Sequence, residues 1–223
     1  MPLATAAPSR SGLKQKHPPA EAPASRQVIL DAAAHLFSTI GYTESSMRQI
    51  AQRAGMQPAS VYYHFQSKDA ILVEVLRVGI EHVVEAVKAA VAKLPTDANP
   101  RQQIETVIGA HLRALHSNLA YTSVNNKYGG QFPTEVDAFI QPMRDEYTRY
   151  WHSLLRKAQR TGWLEPDLRI SLVRPLIMGM MQRTVVWFDG NGGPIGLLIE
   201  TVLEMLSGLW AQKPAGARRR NGR

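Results

Sequence analysis

The chain has 223 residues, room for one large domain or two small ones, and its 44% apolar and 20% charged residues are a globular balance. It holds no cysteine, which excludes disulfides, thiolate metal sites, iron–sulfur clusters and a cysteine nucleophile together. No apolar run approaches the ~18 residues of a membrane span, and residues 1–25 lack the apolar stretch of a secretory signal, so a cytoplasmic protein is expected. The formal charge of +8 sits at the ends. Residues 1–68 hold seven Lys/Arg against three acids, residues 213–223 five against none, and residues 69–212 fourteen against fifteen. Basic charge displaced to the N-terminal part suggests a polyanion partner there. The C-terminal ARRRNGR reads as a solvated tail.

Residues 1–24 carry five of the fourteen prolines and no periodic apolar pattern, so a disordered arm is expected. Ser25 is a candidate N-cap, and Val28, Ile29, Ala32, Ala33, Leu36, Phe37 and Ile40 follow at helical spacing up to Gly41. SSMRQIAQRAG predicts a short second helix capped by Ser45 or Ser46 and broken at Gly55. PASVYYHF predicts a third, begun by Pro58. Ser67 caps a long amphipathic helix over about 68–94, ended by Pro95. Asn99-Pro100 opens another, to about Ala120. Residues 121–132 read as irregular or as a short helix. Helices over 134–161 (with a kink at Pro142), 167–188 (distorted at Pro175) and 194–210 complete the chain, with DGNGG as a loop. No strand pattern and no repeat is present. The expected fold is all-α, about nine helices. A helix-turn-helix module at 25–68 precedes a larger helical module at 69–212, and a basic tail at 213–223 is disordered.

Residues 47–66 meet the needs of a DNA-binding helix-turn-helix. Ala51 is the small residue where two helices cross. Gly55, four positions on, suits a turn with positive φ, and Val61, six further, anchors the second helix. Ile50, Ala54 and Met56 fill the other inward positions. The outward face then shows Gln57, Ala59, Ser60, Tyr63 and His64, short or polar groups able to approach base edges and phosphates.

Residues 26–70 resemble the DNA-binding domain of the tetracycline-repressor (TetR) family. The matching positions are Phe37, Gly41, Tyr42, Ser45, Ser46, Ile50, Ala51, Ala54 and Gly55, then Val61, Tyr62, Tyr63, His64 and Phe65, then Ser67, Lys68 and Asp69. Met56 and Gln57 depart from the family's more usual Val-Ser, which leaves the operator sequence open. The resemblance implies that Ser46, or the amides beside it, contacts phosphate. It implies that Arg48 reaches phosphate or a base, and that Gln57, Ala59 and Ser60 lie against base edges. Tyr62 and Lys68 would meet phosphates, and Tyr63 and His64 would lie on the DNA backbone. Phe37, Ile50, Val61 and Phe65 read as core.

In the second module, 167–188 and 194–210 are apolar on more than one face, which calls for burial on more than one face. A partner subunit supplies it economically. The resemblance implies the same: a homodimer joined by a four-helix bundle of these last two helices, reading a pseudo-palindromic operator on double-stranded DNA. The middle helices should enclose an effector pocket. Candidate contacts are Tyr121, Asn125, Asn126, Tyr128, Phe132, Trp151, Arg183, Thr184 and Trp187. Segments 144–155, 162–168 and 179–188 resemble a branch of the family that senses acyl-CoA thioesters in lipid and steroid catabolism, although Gln182-Arg183 stands where that branch often has Asn-Trp. A CoA phosphate would suit Arg144, Arg149 or Arg183. No cofactor or metal is implied, and no catalytic constellation is found. His111 and His116 fall on different helix faces, and the seven histidines read as surface or capping residues. The expected function is a ligand-responsive transcriptional regulator, with a sequence-nonspecific, nucleoid-like DNA binder as the alternative.

Overall fold

The computed structural model describes residues 22–127, 132–189 and 193–211. The expected basic tail and all but the last three residues of the expected N-terminal arm lie outside them. Nine α-helices stand in the described residues: α1 (Ala22–Thr39), α2 (Met47–Arg53), α3 (Pro58–His64), α4 (Lys68–Ala92), α5 (Pro100–Ser117), α6 (Leu119–Lys127), α7 (Thr134–Arg160), α8 (Ile170–Trp187) and α9 (Ile195–Met205). A short 3-10 turn, Ser207–Leu209, follows. None of these helices is long and apolar enough to cross a membrane.

Several starts follow from local chemistry. Ser46 and Ser67 accept from the backbone amides of Gln49 and Ala70, satisfying first-turn donors of α2 and α4. Asn99 and Gln102 exchange bonds as a capping box, with Pro100 at the first helical position of α5. Other boundaries differ from expectation. Ser25 is not a cap; it lies inside α1, buried. Helix α5 ends at Ser117 and not near Ala120, and of the two readings for the stretch after it the short helix holds: α6 begins at Leu119, with Tyr121 and Val124 packed inward. Pro142 and Pro175 stand inside α7 and α8, where the expected helices 134–161 and 167–188 have them. The last helix stops at Met205 and the chain turns back to pair with the α7–α8 loop: Ala211 donates to the Trp163 carbonyl and Glu165 to that of Leu209, both at 3.1 Å. That pair is the one isolated β-bridge among the described residues.

Two apolar cores result. The first joins α1, α2 and α3 to the first half of α4 through Phe37, Ile50, Val61, Phe65, Ile71 and Leu76. It also takes in Tyr121 and Val124 of α6 and Val136 and Ile140 of α7. The expected module boundary at 68/69 therefore cuts through a single core. The second core spans the far half of α4 with α5, α7, α8 and α9, around Trp151. Helices α4 and α7 contribute to both. Helix α4 passes α6 closely: a Cβ at Gly79 would sit 3.0 Å from the Tyr121 carbonyl oxygen.

Candidate nucleic-acid interface and effector cavity

The turn between α2 and α3 depends on Gly55, whose φ is +67°. A Cβ there would meet nothing within 4 Å, so conformation and not space demands glycine. The Met56 amide closes the turn on the Ala51 carbonyl at 2.9 Å. Ile50, Ala51 and Val61 are buried, and Ala54 and Met56 pack partly against them. The opposite face of α3 is open: Gln57, Ala59, Ser60, Tyr62 and Tyr63 are exposed, Tyr63 by 82%. Gln57 precedes α3 without spending its side chain on a cap, so its amide is uncommitted. His64 is half-buried and meets Tyr63 edge to face, 5.2 Å between centroids. Arg48 is exposed on α2. Ser46 is exposed too, but its hydroxyl is engaged by Gln49, at 2.8 Å to the side-chain oxygen.

Lys68 departs from expectation. Its ammonium turns inward, donating to the carbonyls of Tyr42 and Ser45 at 2.8 Å and of Thr43 at 3.5 Å, and sits 4.2 Å from the Tyr42 ring centroid. Three donors meet three acceptors, leaving no free donor for phosphate. The Tyr42 hydroxyl donates to Asp69, and burial, reinforced by that carboxylate, raises its pKa. The pair ties the loop that launches α2 to the start of α4. Lys68→Met is expected to weaken duplex binding about tenfold by loosening α2. The salt dependence should keep its slope; a slope lower by about one would reveal a phosphate contact instead.

Away from this face, α4, α5, α6, α7 and α8 surround a cavity of about 390 Å³. Of the expected contacts, Asn125 lines it, and so does Arg144, one of the three arginines suited to a CoA phosphate. Trp151 is fully buried in the second core, because its position on α7 faces α4 and α5. Tyr121 faces α1, donating to Asp31 at 2.5 Å and accepting from Gln27 at 2.9 Å. Thr184 is buried against His116, 2.9 Å away. Phe132 packs on the first core beneath the Arg144 guanidinium. Arg183 and Trp187 are exposed on the outer side of α8. Tyr128 and the Asn126 side chain lie outside what is described.

The cavity gathers Arg144, Tyr147, Arg174 and Gln182 with His111. His111 is buried, not a surface residue; burial pushes its pKa down to about 3. Its Nδ1 lies 2.8 Å from the Tyr147 hydroxyl, and the two rings stack. A clue was present in the sequence: His111 and Tyr147 both fall on the apolar faces of their helices.

An exposed polar helix held across a glycine turn defines a helix-turn-helix DNA-binding protein. The sequence matches "Bacterial regulatory proteins, tetR family" over residues 29–75 and "Tetracyclin repressor-like, C-terminal domain" over residues 97–197. It is 25% identical over 171 residues to the HTH-type transcriptional repressor KstR2 of Mycobacterium tuberculosis, spanning 76% of this chain and 84% of that one. It is 24% identical to the fatty acid metabolism regulator protein of Bacillus subtilis, over 87% of this chain and 96% of that one. The solved structure of AibR in complex with isovaleryl coenzyme A and operator DNA shares the fold with a TM-score of 0.74 at 21% identity, over 83% of this chain and 99% of that one. The chain belongs to the TetR family: it is a DNA-binding transcriptional regulator and not an enzyme.

Proposed function

We propose that the chain is a ligand-responsive repressor that binds a pseudo-palindromic operator as a homodimer and is released by a small hydrophobic effector, an acyl compound carried as its CoA thioester. The observation that supports this best is the course of α4. It runs without a break from Lys68, which anchors the DNA-reading helices, to Gly79–Val84 in the cavity wall. Helix α6 makes a second link, with Asn125 in the cavity and Tyr121 hydrogen-bonded to α1. The thioester is suggested by the AibR complex with isovaleryl coenzyme A, and an acyl effector also by the likeness to the fatty acid metabolism regulator of Bacillus subtilis.

The dimer reading draws on the outer face of α8 and α9. Leu172, Leu176 and Trp187 are exposed apolar residues along the outer side of α8, with Arg183 between the last two, while Val173, Ile177 and Met181 on its other side fill the core. Leu197 and Met205 extend the apolar surface on α9. Uncovered apolar area of this kind marks an interface. A two-fold axis there sets two α3 helices against successive major-groove faces, ~34 Å or more apart. An effector that prefers a different spacing lowers operator affinity only by its preference between the two states. A hundredfold release requires about 2.7 kcal/mol of that preference.

Nuclease footprinting on DNA upstream of the chain's own coding region tests the proposal. The expected result is a bounded, two-fold symmetric footprint that fades on adding acyl-CoA thioesters. Uniform protection that fades only with salt would replace it with the nonspecific binder.

A further inference from the structure

The cavity wall holds two arginines and no acidic residue. The two differ in what surrounds them. Arg144 is compensated: it donates to Asp137 and to Asn125, each at 2.7 Å, and its plane lies over the Phe132 ring. Arg174, on α8, has no hydrogen bond or ion pair among the described residues, and its Nε is buried without a partner. Leaving a guanidinium N–H unpaired and out of water is unfavourable, so the site favours an anion that reaches it.

A second orphan stands in the same wall. His111 is 2% exposed, its Nδ1 is engaged by Tyr147, and its Nε2 has no partner. Burial keeps the ring neutral, so it adds a polar contact without adding charge. The remaining wall is mixed: Ile80, Val83, Leu115 and Met178 from three helices give it an apolar part, beside polar Thr122, Gln141, Thr148 and Gln182. At about 390 Å³ the cavity is large enough for an acyl body.

We propose that the buried end of the effector bears a carboxylate, which pairs with the Arg174 guanidinium and lies beside His111 Nε2, while its apolar body rests on Ile80, Val83, Leu115 and Met178. This rests on the cavity being the effector site. Two sources share the chemistry: a free carboxylic acid, or a dicarboxylic acid carried as its mono-CoA thioester with the free carboxylate innermost. A simple monoacyl chain brings no carboxylate to Arg174. Pairing also pulls on α8, the helix whose opposite side carries the exposed apolar residues.

Calorimetric titration of the full chain tests this. The probes are decanoate and cyclohexanebutanoate, the matching alcohols, decanoyl-CoA, and the mono-CoA thioester of sebacic acid. Each is titrated into the unaltered protein, Arg174→Gln and Arg174→Lys, with thermal unfolding confirming that the variants fold. At least one carboxylate probe is expected to bind tenfold or more tighter than its uncharged counterpart. Arg174→Gln should weaken that probe tenfold to a hundredfold and leave uncharged probes unchanged, and Arg174→Lys should recover part of the loss. Binding of the free acids assigns the first source; binding of the sebacic thioester alone assigns the second. Alcohols or decanoyl-CoA binding as tightly as the carboxylates, with Arg174→Gln indifferent, would overturn the carboxylate and leave the cavity as effector site. Absence of binding by every probe would overturn both.

Discussion

Glutamate at both Leu176 and Met205 is expected to give a folded monomer that has lost operator affinity by about a hundredfold or more. The two side chains are 72% and 69% exposed, so neither supports the core of its own subunit. In the proposed dimer both become buried, and an unpaired carboxylate held there is strongly disfavoured. Like charges brought together across a two-fold axis add to the cost. A monomer reads one half-site, and the gain from tethering a second recognition helix, commonly 10²–10⁴ in affinity, is lost. Sedimentation would report the mass, thermal unfolding the retained fold, and a titration with operator DNA the affinity. Retention of a dimer by the double variant would move the interface away from α8 and α9.

The second large effect concerns stability. Trp151→Ala is expected to destabilise the protein by about 3–5 kcal/mol, because the indole is fully buried among α4, α5 and α7 and the hole cannot be filled. For a chain of this size that lowers the unfolding midpoint by roughly 6–20 °C. A wall residue of the cavity would behave oppositely, changing ligand affinity while leaving stability nearly intact. The two measurements on one variant separate the roles, and a midpoint within ~2 °C of the unaltered protein would contradict the buried position.

The open face of α3 is legible in the sequence because each of its requirements is local. Gly55 in the turn, Ala51 at the crossing, Val61 six residues on and Pro58 at the helix start all lie within one short stretch. A period of 3.6 then sorts Gln57, Ala59, Ser60 and Tyr63 to the open side without knowledge of the rest. The inward turn of Lys68 is not legible, for the complementary reason. Its acceptors are backbone carbonyls of residues 42, 43 and 45, and which way a lysine turns depends on a loop folding over it. The cavity is legible only in part, through Asn125 and Arg144. Aromatic and polar residues were expected to gather there, yet Trp151, Tyr121 and Thr184 went to core contacts, and Arg183 and Trp187 to the outer face. Arg174 and His111 gave no sign of being left without partners.

Helix count, the order of short and long helices, the glycine turn and the polar face of α3 follow from composition, caps and periodicity, since those act over a few residues and need no partner. Packing of five helices around one space decided which arginine is neutralised, which histidine is buried and which side of α8 stays uncovered. Those outcomes depend on residues brought together from distant parts of the chain, and nothing in local spacing encodes the distance between Arg144 and Asn125 or the emptiness beside Arg174.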